Sequence, residues 1–182
     1  MKGIVFVELL AMADHALGED AVDGVIARCP LSSKGAYTAV GTYPSSELGQ
    51  LVDGFSHASG DSIPALQRAF GHWMLRRFAA TFPVFFEVQQ DAFTMLESIE
   101  NEVHAEVRKL YPDAELPTFD TVREGDDTLV MTYRSPRRLI DFCHGLIEEC
   151  LVHFGEQASI TCTDLSTAEM GVAEFRIVRK AA

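Results

Sequence analysis

No run of about 18 apolar residues occurs anywhere in this chain, which excludes a membrane-spanning helix. Cations are scarce: 15 Lys and Arg stand against 27 Asp and Glu, a formal net charge of -12. Nucleic acid and anionic lipid surfaces are bound by a surplus of cations that replaces counterions, so neither is expected as a partner. An anionic ligand would need a local basic site of its own. The four cysteines, Cys29, Cys143, Cys150 and Cys162, form no CxxC pair and no regular spacing, which argues against a disulfide framework or a zinc ribbon. Buried thiols in a reducing compartment are the plain expectation. Tandem repeats are absent too. A secretory leader is only imitated: Lys2 precedes an apolar run and Ala11-Met12-Ala13 resembles a cleavage site, but Glu8 interrupts the run after five residues. The expected location is the cytoplasm.

What is present is enough apolar sequence, 47% over 182 residues, to bury a sizeable core in one domain or two packed lobes. The front half reads as helices. Ile4, Val5, Leu9, Met12 and Ala16 recur at helical spacing, and Ala21 to Arg28 forms a short second helix before a loop from Pro30 to Gly35. Ser45 is the expected N-cap of a helix carrying Leu48, Leu51, Val52 and Phe55, with Gly60 beyond its end. Pro64 opens another, with Leu66, Phe70, Trp73, Met74 and Phe78. From Asp91 the positions Phe93, Leu96, Ile99, Val103, Val107 and Leu110 predict one long helix stopped by Pro112. The texture then changes. Glu124-Gly125-Asp126-Asp127 is a turn sequence before Thr128 to Tyr133, which is rich in strand formers, so a hairpin is expected. Ser135-Pro136 reads as an N-cap and first-turn proline of a helix carrying Leu139, Phe142, Cys143, Leu146, Ile147, Cys150 and Phe154. Ala158 to Thr163 and Val172 to Val178 read as closing strands. The expected fold is α+β, a helical front half and a small antiparallel sheet at the back.

Two groups of residues could carry chemistry. His104 sits at the edge of the apolar stripe of the long helix, where a bare histidine is ordinarily structural. No second His or carboxylate lies four residues on as a zinc motif requires, since position 108 is Arg. If His104 binds a metal, that metal brings its other ligands with it, as haem iron does. Tyr133, Ser135 and Arg137 alternate along an extended segment, so their side chains start on one face. A phenol, a hydroxyl and a guanidinium together can donate several hydrogen bonds, and the Arg fork matches a carboxylate. The plainer reading is a strand end: a packed Tyr133, a capping Ser135 and a solvated Arg137.

His104, then twelve residues and Pro117, then fifteen residues and Tyr133-x-Ser135-x-Arg137 form an ordered set. That set resembles the haem nitric oxide/oxygen binding (H-NOX) family, which is related to the haem domain of soluble guanylate cyclase. The opening MKG, EVH at Glu102 to His104 and GLI at Gly145 to Ile147 are similar to it as well, and the likeness covers essentially the whole chain. The resemblance implies a single sensor domain over residues 1–182, with a helical lobe over about 1–60, a sheet-containing lobe over about 61–182, and haem b between them. By the same resemblance His104 is the iron ligand, Tyr133, Ser135 and Arg137 hold the propionates, and Pro117 packs on the macrocycle and bends it. Phe142 stands where oxygen-binding members carry a distal tyrosine, which implies a preference for nitric oxide, with CO also bound. Met74 and Phe78 are expected to complete the distal wall, with His72 and Trp73 as nearby alternative donors. Some branches bind zinc late in the chain, but here the loop from Leu165 to Gly171 has no Cys or His, so zinc is not expected. The resemblance further implies a bacterial gas sensor and not an enzyme. With so little sequence after Val178, its expected partner is a separate histidine kinase or cyclic-di-GMP enzyme. The rival readings are a haem-dependent redox enzyme, a thiol enzyme using Cys143 and His144, and a carrier of another flat anionic ligand. Adjacent residues on a helix point about 100° apart, which argues against the Cys143–His144 pair.

Overall fold

The apolar spacing of the first sixteen residues forms helix α1 (Gly3–Leu17), which buries Phe6, Leu9 and Ala13. It is followed by α2 (Glu19–Arg28). The computed structural model describes residues 1–180. Helix α3 (Ser45–Ser59) starts at Ser45, which is therefore its first residue and not its N-cap. Pro44 holds the cap position, and no side chain caps this end. Gly60 ends α3 in the left-handed conformation, φ 82°, which glycine adopts without strain. Helix α4 (Ile63–Thr81) is capped by Ser62, whose Oγ accepts from the Ala65 amide at 3.4 Å, with Pro64 in the first turn. A short α5 (Val84–Glu87) follows.

The helix expected to run unbroken from Asp91 to Pro112 begins as α6 (Ala92–Ser98), fixed by a reciprocal capping box between Asp91 and Thr94. It then widens into a π-helical turn, Ile99–Val103, before resuming as α7 (His104–Leu110). At the start of that turn the buried Ser98 hydroxyl donates to the Met95 carbonyl at 2.8 Å and competes with the backbone ladder. Inserted π turns of this kind recur at functional sites.

Four strands complete the chain: β1 (Thr118–Glu124), β2 (Thr128–Ser135), β3 (Ala158–Asp164) and β4 (Gly171–Arg179). They pair antiparallel in the order β1-β2-β4-β3, and α8 (Ile140–His153) lies between β2 and β3 in sequence. Ser135 does not open α8. Its backbone pairs with Gly171 as the last residue of β2, and its Oγ accepts from the Arg137 amide at 3.2 Å. The hydroxyl thus caps a turn, and Arg138 at φ 50° breaks any helical path before Ile140.

Two apolar cores result. Phe6, Leu9, Val25, Leu51, Phe55, Phe70 and Met74 fill one, under the first helices. Phe93, Leu129, Met131, Ile147, Cys150, Phe175 and Ile177 fill the other, between the sheet and helices α6 and α8. Phe78 and Leu146 pack against both, so α4 and α8 form the seam. These helices cross at glycine: a Cβ on Gly71 would fall 2.3 Å from the Phe142 carbonyl oxygen, and one on Gly145 would fall 2.1 Å from that of Arg68. Beside the crossing, Arg68 and Arg76 pair with Glu148 and Glu149, and His72 lies between both carboxylates. No helix among the described residues is long and apolar enough to cross a membrane.

Candidate cofactor site

His104 follows the π turn directly and lies against Phe119 and Glu100, with its side chain only 12% exposed. Its Nδ1 lies 3.1 Å from Glu100 Oε2. Burial lowers the basicity of the imidazole, and the Glu100 hydrogen bond only partly opposes this, so its pKa falls below the ordinary histidine value. Burial likewise pushes the Glu100 carboxyl up, but hydrogen bonds from Arg108 and His104 outweigh it and hold the group below its usual range. A carboxylate can only accept. The proton therefore sits on Nδ1, and the Nε2 lone pair of a neutral ring is left free, the form in which histidine binds a metal. Among the described residues no cluster of three His, Cys, Asp or Glu side chains could hold a bare metal ion. A single neutral donor fits a group that brings its remaining ligands, as a porphyrin does.

Across from His104, Tyr133 and Ser135 are both buried on the inward face of β2. The Tyr133 hydroxyl accepts from the Leu139 amide at 3.1 Å, and burial raises its pKa. Arg137, just past the strand, has its side chain 12% exposed, and its guanidinium grips the carboxylate and the carbonyl oxygen of Glu115. The fork thus binds a carboxylate in this structure. Pro117 is half-buried immediately before β1. Phe119 on β1, which sequence reasoning passed over, links the two halves of the site: its ring centroid is 5.7 Å from that of His104 and 5.8 Å from that of Tyr133. Glu100 was passed over too, although its place four residues before His104 is the signal that could have found it.

On the other side, Met74 is buried, and Phe78 and Phe142 pack into the same core, with the Phe142 ring 5.0 Å from Phe70. The polar atoms of His72 and Trp73 are engaged elsewhere. The Trp73 Nε1–H donates to Glu8 at 2.9 Å, and both His72 nitrogens lie within 3.0 Å of Glu148 or Glu149. Glu8, the residue that interrupts the leader-like run, also pairs with Arg77 at 3.0 Å.

The haem-NO-binding family model matches residues 2–162. Among solved structures, the chain is similar to the Fe(II) unliganded H-NOX protein from K. algicida, at 35% identity and a TM-score of 0.93, covering 100% of this chain and 98% of that one. It is also similar in fold to an H-NOX protein from S. oneidensis in the Fe(II)NO state, with 23% identity, TM-score 0.88 and 100% of both chains covered. A third match is an oxygen-binding H-NOX domain related to soluble guanylate cyclases, with 22% identity, TM-score 0.84, and 100% and 96% covered. The search of curated proteins returned no match. From the family match over residues 2–162 and the 35% identity along its whole length, the chain belongs to the haem-NO-binding (H-NOX) family of haem-binding gas-sensor domains.

Proposed function

We propose that this chain senses nitric oxide at ferrous haem b, held through His104 and clamped by Tyr133, Ser135 and Arg137, and reports to a separate effector in the cytoplasm. The observation that carries the proposal is the placement of His104: its side chain is only 12% exposed, and its Nδ1 lies 3.1 Å from Glu100 Oε2, which leaves Nε2 for a ligand. Ferrous haem supplies the iron to which the gas binds. Arg137 offers a guanidinium fork to the propionates, which would otherwise be costly to bury in a protein of net charge -12. Pro117, half-buried just before β1, would pack against the macrocycle. Met74, Phe78 and Phe142 form an apolar distal wall.

That wall is the ground for ligand choice. Bound O2 is polar and gains from a distal donor, whereas NO and CO bind ferrous iron without one. The Tyr37 hydroxyl donates its proton to Glu47, while those of Tyr43 and Tyr133 accept from the Thr38 and Leu139 amides. A binding module is also favoured over a thiol enzyme, because burial raises the Cys143 thiol pKa where a nucleophile needs it lowered. Four free cysteines agree with a reducing compartment. The effector class, a histidine kinase or a cyclic-di-GMP enzyme, follows from the family resemblance. The test is the absorption spectrum of the purified protein. A Soret band is expected, and His104→Gly should lose haem and regain it with imidazole. A protein that shows no Soret band after haem addition, or a variant with the wild-type spectrum, refutes the assignment.

A further inference from the structure

Glu100, His104 and Arg108 stand four residues apart along one face of the helix, with Glu100 in contact with both others. Glu100 Oε2 lies 3.1 Å from His104 Nδ1 and also accepts from the Phe119 amide at 3.3 Å, while Oε1 accepts from Arg108 Nη2 at 2.7 Å. The carboxylate is therefore held on three sides and cannot easily turn away from the imidazole. Its own side chain is 25% exposed and that of Arg108 is 42% exposed, so the site is shielded on the histidine side and open on the arginine side. A carboxylate that accepts from the far nitrogen of a ligand histidine fixes the ring and makes the near nitrogen a stronger donor. A guanidinium on the same carboxylate draws charge away and weakens that effect.

We infer that Glu100 is a positioning residue that strengthens the bond from His104 to the haem iron, and that Arg108 sets how much charge Glu100 passes on. The inference rests on His104 being the iron ligand. A stronger donor favours ferric over ferrous iron and makes the histidine bond harder to release, so this pair tunes both the redox poise and the threshold for signalling. Neither role follows from a purely structural helix contact, which would leave the iron–histidine vibration unmoved.

The experiment compares ferrous haem-loaded wild type with Glu100→Gln, Glu100→Asp and Arg108→Ala, reading the iron–histidine stretching line by resonance Raman and the ferric/ferrous midpoint potential. Glu100→Gln keeps the shape and an acceptor oxygen but removes the charge, so the line should move to lower wavenumber and the potential should rise. Arg108→Ala should move both the other way, and Glu100→Asp should fall between wild type and Gln. An unchanged line in both Gln and Arg108→Ala overturns the inference, even if the potential moves, because a remote charge alone can shift a potential. His104→Gly separates the two levels. If it loses the line while the Glu100 variants leave it unmoved, only the role of Glu100 falls, whereas a line that survives His104→Gly removes the ligand assignment and the inference with it. Should Glu100→Gln fail to retain haem, Arg108→Ala decides alone: a line at higher wavenumber supports the inference, and an unmoved one overturns it.

Discussion

Removing the Arg137 guanidinium should weaken haem retention by an amount that follows from how it is placed. Its side chain is 12% exposed, and it is engaged by Glu115, whose side chain is 79% exposed. An exposed ion pair of that kind contributes about 0–1 kcal/mol, because solvent screens it and the long side chains lose entropy. Glu115 is therefore a weakly held occupant of the clamp. A propionate on the same fork would be held by a guanidinium that is itself only 12% exposed, and hydrogen bonds to a charged partner there contribute about 1.5–3 kcal/mol. At 1.4 kcal/mol per tenfold, Arg137→Ala should cost roughly tenfold to a hundredfold in haem affinity. Glu115→Gln should act the other way, slowing haem loss by about fivefold at most, since it removes a competing carboxylate worth no more than about 1 kcal/mol. The assay is transfer of haem to excess apomyoglobin, followed in the Soret region. A wild-type rate for Arg137→Ala would refute the clamp and leave Arg137 a plain partner of Glu115. Faster loss from Glu115→Gln would show that Glu115 supports the haem and does not compete for its site.

Four further outcomes are expected. Phe142→Tyr adds one hydroxyl to an apolar wall, and a neutral hydrogen bond contributes about 0.5–1.5 kcal/mol, so oxygen affinity should rise a few-fold to about tenfold in gas titrations. A persistent oxygen complex in the wild-type protein would refute the distal argument. Pro117→Ala should leave haem bound but flatter, read in the out-of-plane Raman modes. Gly71→Ala places a Cβ 2.3 Å from the Phe142 carbonyl oxygen, so α4 and α8 must part and denaturant melts should show a loss of about 1–3 kcal/mol. Burial alone would raise the Glu47 carboxyl, but hydrogen bonds from Ser32, Ser33 and Tyr37 bring it from 4.5 to about 2. Its stabilisation is then present above pH 4.5 and lost as pH falls toward about 2, so Glu47→Gln should flatten the acid limb of a stability curve over that interval.

Much of the fold was legible from periodicity and turn chemistry. The first helix, the helix opened by Pro64 and the strands after Gly125 follow from spacing and turn chemistry, although the first helix buries Phe6, Leu9 and Ala13, of which only Leu9 belongs to the expected stripe. Short-range signals competed at the misread places. Ser135-Pro136 carries the chemistry of a helix start, but pairing with Gly171 keeps Ser135 in the sheet, and only the register across β4 could reveal that. The π turn between Ile99 and Val103 leaves the apolar spacing nearly intact, so a pattern of 3 and 4 cannot distinguish it from an ordinary helix.

The candidate site divides along the same line. Tyr133 and Ser135 do share the inward face of β2, while Arg137 lies past its end, and the three were singled out by their alternation and by the family resemblance. Glu100 was not, since a carboxylate four residues before a histidine is commonplace on a solvated helix and becomes informative only when the histidine is found buried, neutral and short of a partner on Nε2. The two discoverable halves carry opposite charge for a physical reason. In the proposed site a propionate needs a cation, which Arg137 would provide, while an iron-bound imidazole gains from an anion behind it, which Glu100 would provide. Arg108 then does for Glu100 what Glu115 does for Arg137: each is an exposed counter-charge that tempers a more buried group. Substitutions at Arg108 and Glu115 should therefore adjust the strength of haem binding and ligation without abolishing either, which is the behaviour that separates them from His104 and Arg137.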